Sequence, residues 1–103
     1  MQLSFLIAEP SIAKFAFPRD VQADRKLFIH CAVDSGTPPF DFSWLKDGLP
    51  LVKNERVTFG SVDDSSTLTF RQVSVEDVAN YTCIAKNREG QDLHTATLWM
   101  KSK

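Results

Sequence analysis

Apolar residues alternate with polar ones over short stretches of this chain, and turn-forming residues interrupt each stretch. The period is two, with no helical periodicity of useful length, so the pattern predicts strands. Ser11 to Phe17 reads as a first strand stopped by Pro18, whose missing amide donor suits an edge or a kink. From Lys26 to Val33, the residues Leu27, Ile29, Cys31 and Val33 share one face, and Phe28, His30 and Ala32 share the other. Ser35-Gly36-Thr37-Pro38-Pro39 predicts a turn. Phe40, Phe42 and Trp44 fall on one face of the next strand, which ends at Lys46-Asp47-Gly48. Leu49 to Val52 allows only a short edge strand. Arg56 to Phe59 follows, with Val57 and Phe59 on one side, and Gly60 and Asp63-Asp64-Ser65 mark a further turn. Thr67 to Gln72 puts Leu68 and Phe70 inward, and Val78 to Asn87 puts Tyr81, Cys83 and Ala85 inward. After a hairpin turn at Arg88-Glu89-Gly90, Leu93 to Lys101 puts Ala96, Leu98 and Met100 inward.

About eight strands in 103 residues predict an all-β fold. The length fits one domain spanning 1–103, with its core from about 9 to 100. Two cysteines bracket Trp44, which lies thirteen positions after Cys31, while Cys83 closes a Tyr81-Thr82-Cys83 ending. This is the layout of an immunoglobulin-like β-sandwich of two antiparallel sheets. The stretch between Asp47 and Ser66 is too short for the two extra strands of an antibody variable domain.

Hydrophobic residues make up 43% and charged residues 24%, an ordinary globular composition. The formal charge of −1 gives no electrostatic reason to expect nucleic acid or an acidic membrane surface as partner. No apolar run approaches a membrane span, so direct membrane insertion is not expected. The apolar start, Met1 to Ala8, lacks the basic leader and cleavage site of a signal peptide and reads as a first strand or a boundary with a longer protein. The even cysteine count allows a disulfide. A Cys31–Cys83 bridge would contribute roughly 4 kcal/mol by chain entropy and would imply an oxidising compartment. The alternative is two buried free thiols, as in intracellular muscle domains.

Cys31, Trp44, Leu68-Thr69-Phe70, Asp77-x-x-x-Tyr81-x-Cys83 and Ala85-x-Asn87-x-x-Gly90 resemble the intermediate (I-set) immunoglobulin domain over about Glu9 to Met100. The resemblance implies that Cys31 and Cys83 join the sheets and that Trp44, Leu68 and Tyr81 lie in the core. Tyr81 would form a tyrosine corner, its hydroxyl bonding backbone upstream. Asp77 would pair with a basic residue, for which Arg56 is the candidate. Asn87 and Gly90 would set the final hairpin, Gly90 through a positive φ. Asp24-Arg25-Lys26 departs from the pattern, because many relatives have glycine in that turn. Ser43-Trp44-Leu45-Lys46-Asp47-Gly48, Pro10-x-Ile12-x-x-Phe15-x-Phe17 and His94-Thr95-Ala96-Thr97-Leu98 resemble the Down syndrome cell adhesion molecule (Dscam) family of arthropods. That family implies extracellular recognition in which variable domains bind the same isoform, antiparallel, across a symmetric surface.

The residues offer little for catalysis. His30 and His94 have no nucleophile or carboxylate partner at motif spacing and read as surface histidines, so no enzyme is expected. Two distant cysteines match no zinc spacing, and Asp63-Asp64 reads as a solvated turn. No phosphate-binding glycine loop is present, and neither a cofactor nor a small-molecule substrate is expected. Asn80-Tyr81-Thr82 is an N-glycosylation sequon with Asn80 facing outward.

The partner expected is therefore a protein, a second copy of the chain, met through an outward face. One sheet should present Phe28, His30, Ala32, Arg56, Thr58, Thr67, Thr69 and Arg71, an aromatic among small residues. A rival patch of Leu45, Ile84 and Trp99 lies on the other sheet. The first is preferred on the family resemblance. A heterologous partner, as for a receptor or secreted immune-recognition domain, is the alternative, followed by a structural intracellular muscle domain.

Overall fold

The computed structural model describes residues 7–100. Its two four-stranded sheets follow from the alternation. In β2 (Leu27–Ser35) every second residue is apolar, and Ile29, Cys31 and Val33 are buried while Phe28 and His30 are exposed. β2 pairs antiparallel with β6 (Ser65–Phe70), and β6 with β5 (Val57–Val62). β1 (Ser11–Ile12) completes this sheet in the order β1-β2-β6-β5. The second sheet runs β4-β3-β7-β8, from β4 (Leu49–Pro50), β3 (Asp41–Lys46), β7 (Ala79–Lys86) and β8 (Gln91–Leu98). No helix among the described residues is long and apolar enough to cross a membrane.

Between the sheets, Leu68, Phe70, Cys31, Cys83, Ala85 and Leu98 lose all contact with solvent. Burying one large apolar side chain contributes about 1.5–3 kcal/mol. Cys31 and Cys83 are joined by a disulfide, with Cα atoms 6.4 Å apart. Trp44 stands opposite Cys83 in the β3–β7 ladder. Its buried Nε1 donates to Ser66 Oγ at 2.9 Å, and that hydroxyl donates on to Gly60 O. Ser66 is thus an inward residue of β6, continuous with Leu68 and Phe70. Phe17, Phe70 and Tyr81 form an aromatic triple with centroids 5.4–6.2 Å apart.

Turn chemistry sets the registers. Asp47 and Gly48 both have positive φ, the two-residue hairpin geometry that matches strand twist. Asp24 takes φ +69 in the turn before β2, filling the position where a glycine was expected; a short polar side chain tolerates that region. Asn87 Oδ1 accepts from the amides of Glu89 and Gly90, closing the β7–β8 turn.

Four expectations need correction. The first strand does not run to Phe17. After Ser11–Ile12, which pair through a register shift, only Ala13 N still donates to the ladder, at Ala32 O. Gly60 is not a turn residue but lies inside β5 opposite Thr67, and Asp63-Asp64 alone makes the turn. Gly90 does not use a positive φ; the positive-φ glycines are Gly36 and Gly48. The last strand begins at Gln91 and ends at Leu98, after which Met100 makes a parallel bridge to Val21. Lys101 and Met1–Leu6 lie outside the described residues.

Candidate interaction surface

The outer face of β2, β6 and β5 is built in level rows. Register places Phe28 beside Thr69 and Thr69 beside Thr58 in one row. His30, Thr67 and Gly60 form the next, and Ala32, Ser65 and Val62 the one after. Phe28 is 49% exposed and Val62 72%, while small groups surround them. The Phe28 and His30 rings lie parallel within 5°, centroids 6.5 Å apart. His30 Nδ1 meets Thr67 Oγ1 at 2.9 Å, and Lys26 Nζ stands 5.1 Å from the Phe28 centroid. The result is a strip of small side chains with one aromatic, Phe28, at one level. Val62, Gly60 and Ser65 had not been expected on it, because Gly60 read as the end of the strand. Extending the alternation past Gly60 would have found them.

Charge is graded along this strip. β2 leads from Lys26, just before its first residue, to Asp34 near its end, and β6 runs the opposite way, from Asp64 in its preceding turn to Arg71 just after its last residue. β5 ends at Asp63. Exposed Lys26 and Arg71 therefore cluster at one end, tempered by Glu55, and Asp34, Asp63 and Asp64 at the other.

Arg56, expected among the recognition residues, is partly exposed and engaged in an ion pair at the end of the sandwich. Its Nη1 and Nη2 donate to the two Asp77 carboxylate oxygens at 2.9 and 3.2 Å, and Nη1 also reaches Gln72 O. The bond to Asp77 is the main cause of a guanidinium held more basic than usual, against desolvation, with the Asp77 and Glu76 charges adding to it. Asp77 is buried and also accepts from Ser74 N, as part of a capping box on the turn Val75–Asp77. Tyr81 Oη donates to Asp77 O at 2.6 Å, the tyrosine-corner contact. These residues tie the end of the sandwich together.

The rival patch is not one patch. Ser43 pairs with Ile84 and Leu45 with Thr82. Ile84 faces Leu93, which is 53% exposed and had not been foreseen. Trp99 lies six residues beyond Leu93, past a polar stretch where Thr82 and Thr95 share a hydrogen bond of 2.7 Å. Leu45 and Ile84 are half-buried and Trp99 is exposed, well separated from them along the strand direction.

His94 is not a surface histidine. It is half-buried, its Nε2 lies 2.7 Å from Phe15 O, and its ring meets Phe15 edge-on at 4.5 Å. Phe15 in turn sits 5.9 Å from Trp44. His94 therefore fastens the Ala13–Phe17 segment to β8. No group of three His, Cys, Asp or Glu that could hold a metal occurs among the described residues.

Two disulfide-linked antiparallel sheets, a buried tryptophan and a tyrosine corner define an immunoglobulin-type β-sandwich. The family model for the immunoglobulin I-set domain matches residues 10–100, and the chain belongs to that family. It is 37% identical over 89 residues to the cell adhesion molecule DSCAM of Rattus norvegicus, a match covering 86% of this chain and 4% of that protein. It is 35% identical over 97 residues to the cell adhesion molecule Dscam2 of Drosophila melanogaster, covering 93% and 5%. The chain thus spans about one twentieth of the length of these relatives. Among solved structures, the Dscam1 Ig7 domain, isoform 5, superposes with a TM-score of 0.83 at 26% identity, covering 89% of this chain and 96% of that one. The titin I-band fragment I67-I69 gives 0.78 at 28% identity, covering 88% and 32%.

Proposed function

We propose that this domain is an extracellular recognition module that binds a second copy of itself through the outer face of β2, β6 and β5, the two copies antiparallel. The supporting observation is the charge gradient of that face. A two-fold axis lying between two such faces, across the strands at the level of His30, superimposes each end on the opposite end of the partner. Lys26 of one copy then meets the partner's Asp34, four residues from His30 on the other side, and Arg71 meets the acidic turn. The same operation sets Phe28 against the partner's Ala32, a large group on a small one. An isologous contact must be complementary to itself, and a face graded from cation to anion is so only in the antiparallel sense. That two relatives are described as cell adhesion molecules fits this reading. One domain pairs weakly, and neighbouring domains of a longer parent would supply avidity.

Sedimentation of charge-swapped variants tests it. Lys26→Glu and Asp34→Lys should each weaken self-association about tenfold, roughly 1.4 kcal/mol, while the two together on one chain restore it. Phe28→Asp and Thr69→Asp should abolish pairing and Trp99→Asp leave it intact. A strict monomer at high concentration, or loss of pairing on Trp99→Asp alone, would reject this face. Two free thiols in native material would reject the extracellular location and favour a structural, intracellular domain.

A further inference from the structure

On the opposite sheet, an asparagine whose amide nitrogen has no partner among the described residues shares the outer face with an exposed indole. Asn80 is exposed on β7 within Asn80-Tyr81-Thr82, the acceptor pattern for N-linked sugar. Its Oδ1 accepts from Thr97 Oγ1, and its backbone amide donates to Asp47 Oδ1 at 2.9 Å. Nδ2, the atom that would carry the sugar, makes no hydrogen bond among the described residues. Thr97 thus orients the side-chain amide with its nitrogen toward solvent. Attachment at Nδ2 would cost the fold no hydrogen bond.

Trp99 supplies the second, independent observation. Asn80 pairs with Thr97, and the alternation that buries Ala96 and Leu98 carries Thr97 and Trp99 to the outer face. Trp99 follows Thr97, the cross-strand partner of Asn80, by two residues, just past the end of β8 and on the same outer face. It is 64% exposed and stacks on no other ring or cation among the described residues. An indole this open is one of the costlier features of the surface, and the apolar C–H face of a pyranose is of a size to cover it.

We propose that Asn80 carries an N-linked glycan whose first N-acetylglucosamine lies against Trp99. In the transfer, a bond forms between Asn80 Nδ2 and the sugar C1 while the C1–O bond to a lipid-diphosphate oligosaccharide donor breaks. The amide proton leaves with the diphosphate. Transfer precedes closure of the β-sandwich, so the buried Tyr81 and the Thr82–Thr95 hydrogen bond do not obstruct it. The proposal rests on the extracellular reading, since the donor is met on the secretory route. Its consequence is that carbohydrate covers the β4-β3-β7-β8 face and leaves the β2, β6 and β5 face open.

The test is secretion of the full chain from eukaryotic cells behind a cleavable leader. Intact mass should show a glycan increment that Asn80→Gln and Thr82→Ala both remove; unmodified secreted protein overturns the site. After trimming to a single N-acetylglucosamine, the melting temperature should exceed that of Asn80→Gln by about 4 °C. In a Trp99→Ala background that difference should vanish, and its persistence overturns the contact with the indole. Sedimentation of the same samples keeps the two readings apart: a glycosylated monomer would count against self-pairing and leave Asn80 modified, whereas an unmodified dimer would do the reverse.

Discussion

Tyr81 shows how one residue links local bonding to a measurable property. It is fully buried, and its hydroxyl donates to Asp77 O. Burial is the main reason its phenol is held well above the usual range, with the Asp77 and Asp47 carboxylates adding to the effect and Arg56 opposing it. The folded state therefore keeps this proton to higher pH than the unfolded chain, whose tyrosine ionises near pH 10. That contribution is intact below about pH 10 and is lost as pH rises further toward the folded value. Tyr81→Phe should lower the melting temperature at neutral pH, because a hydrogen bond worth about 1 kcal/mol goes, yet flatten its decline in alkali. Parallel alkaline declines in the two proteins would refute the assignment. The chain has a single tyrosine, so phenolate absorbance follows the titration directly. The Tyr81, Asp77 and Arg56 cluster was legible in the sequence through the resemblance of Asp77-x-x-x-Tyr81-x-Cys83 to the I-set pattern. Ser66 and His94 were not. His94 read as a surface histidine and Ser66 carried no expectation, because the groups that satisfy them, Phe15 O and Trp44 Nε1, come from elements distant in sequence.

At the scale of elements, alternation was readable wherever one face is buried, as in β2, β6 and β7, because a shift of one residue would turn every side chain over. It failed at the edges. From Ala13 to Phe17 the apolar residues alternate like a strand, but after Ala13 the segment is held by the His94 contact to Phe15 and the burial of Phe17 rather than by a ladder. β5 ran on through Gly60, a residue that in sequence signals a break. The turn after β2 depends more strictly on its glycine. Gly36 has φ +126, and a Cβ there would stand 2.7 Å from Pro10 Cα and 2.8 Å from Glu9 O. Gly36→Ala should destabilise the domain by about 2–3 kcal/mol and speed amide exchange at Ala8 and Thr37, which hydrogen-bond each other across this point. Gly48→Ala, with open space around its Cβ but also a positive φ, should cost less. Equal losses at the two sites would mean that φ, rather than the Pro10 contact, decides the matter.

For the whole molecule, strand phase told which side each residue takes but not its height along the sandwich. Leu45, Ile84 and Trp99 share a side, and only the register set by turns shows Trp99 far from the others. The same register collects Lys26 and Arg71 at one end and Asp34 and Asp64 at the other, although neighbours in sequence give no hint of it. One covalent link also spans this whole. Pro10 lies at the Gly36 end of the sandwich and Met100 beside Val21 at the other, so tension between them runs along the strands. The Cys31–Cys83 bond short-circuits the chain between. A pulled domain can then pay out only the lengths outside the bridge, roughly 130 Å at about 3.4 Å per residue instead of roughly 300 Å. Force spectroscopy should record the short rupture length, and the long one only after reduction. Cys31 and Cys83 thus act as a tether that caps how far the module stretches, keeping Leu68, Tyr81 and most strands inside a loop that bears no load.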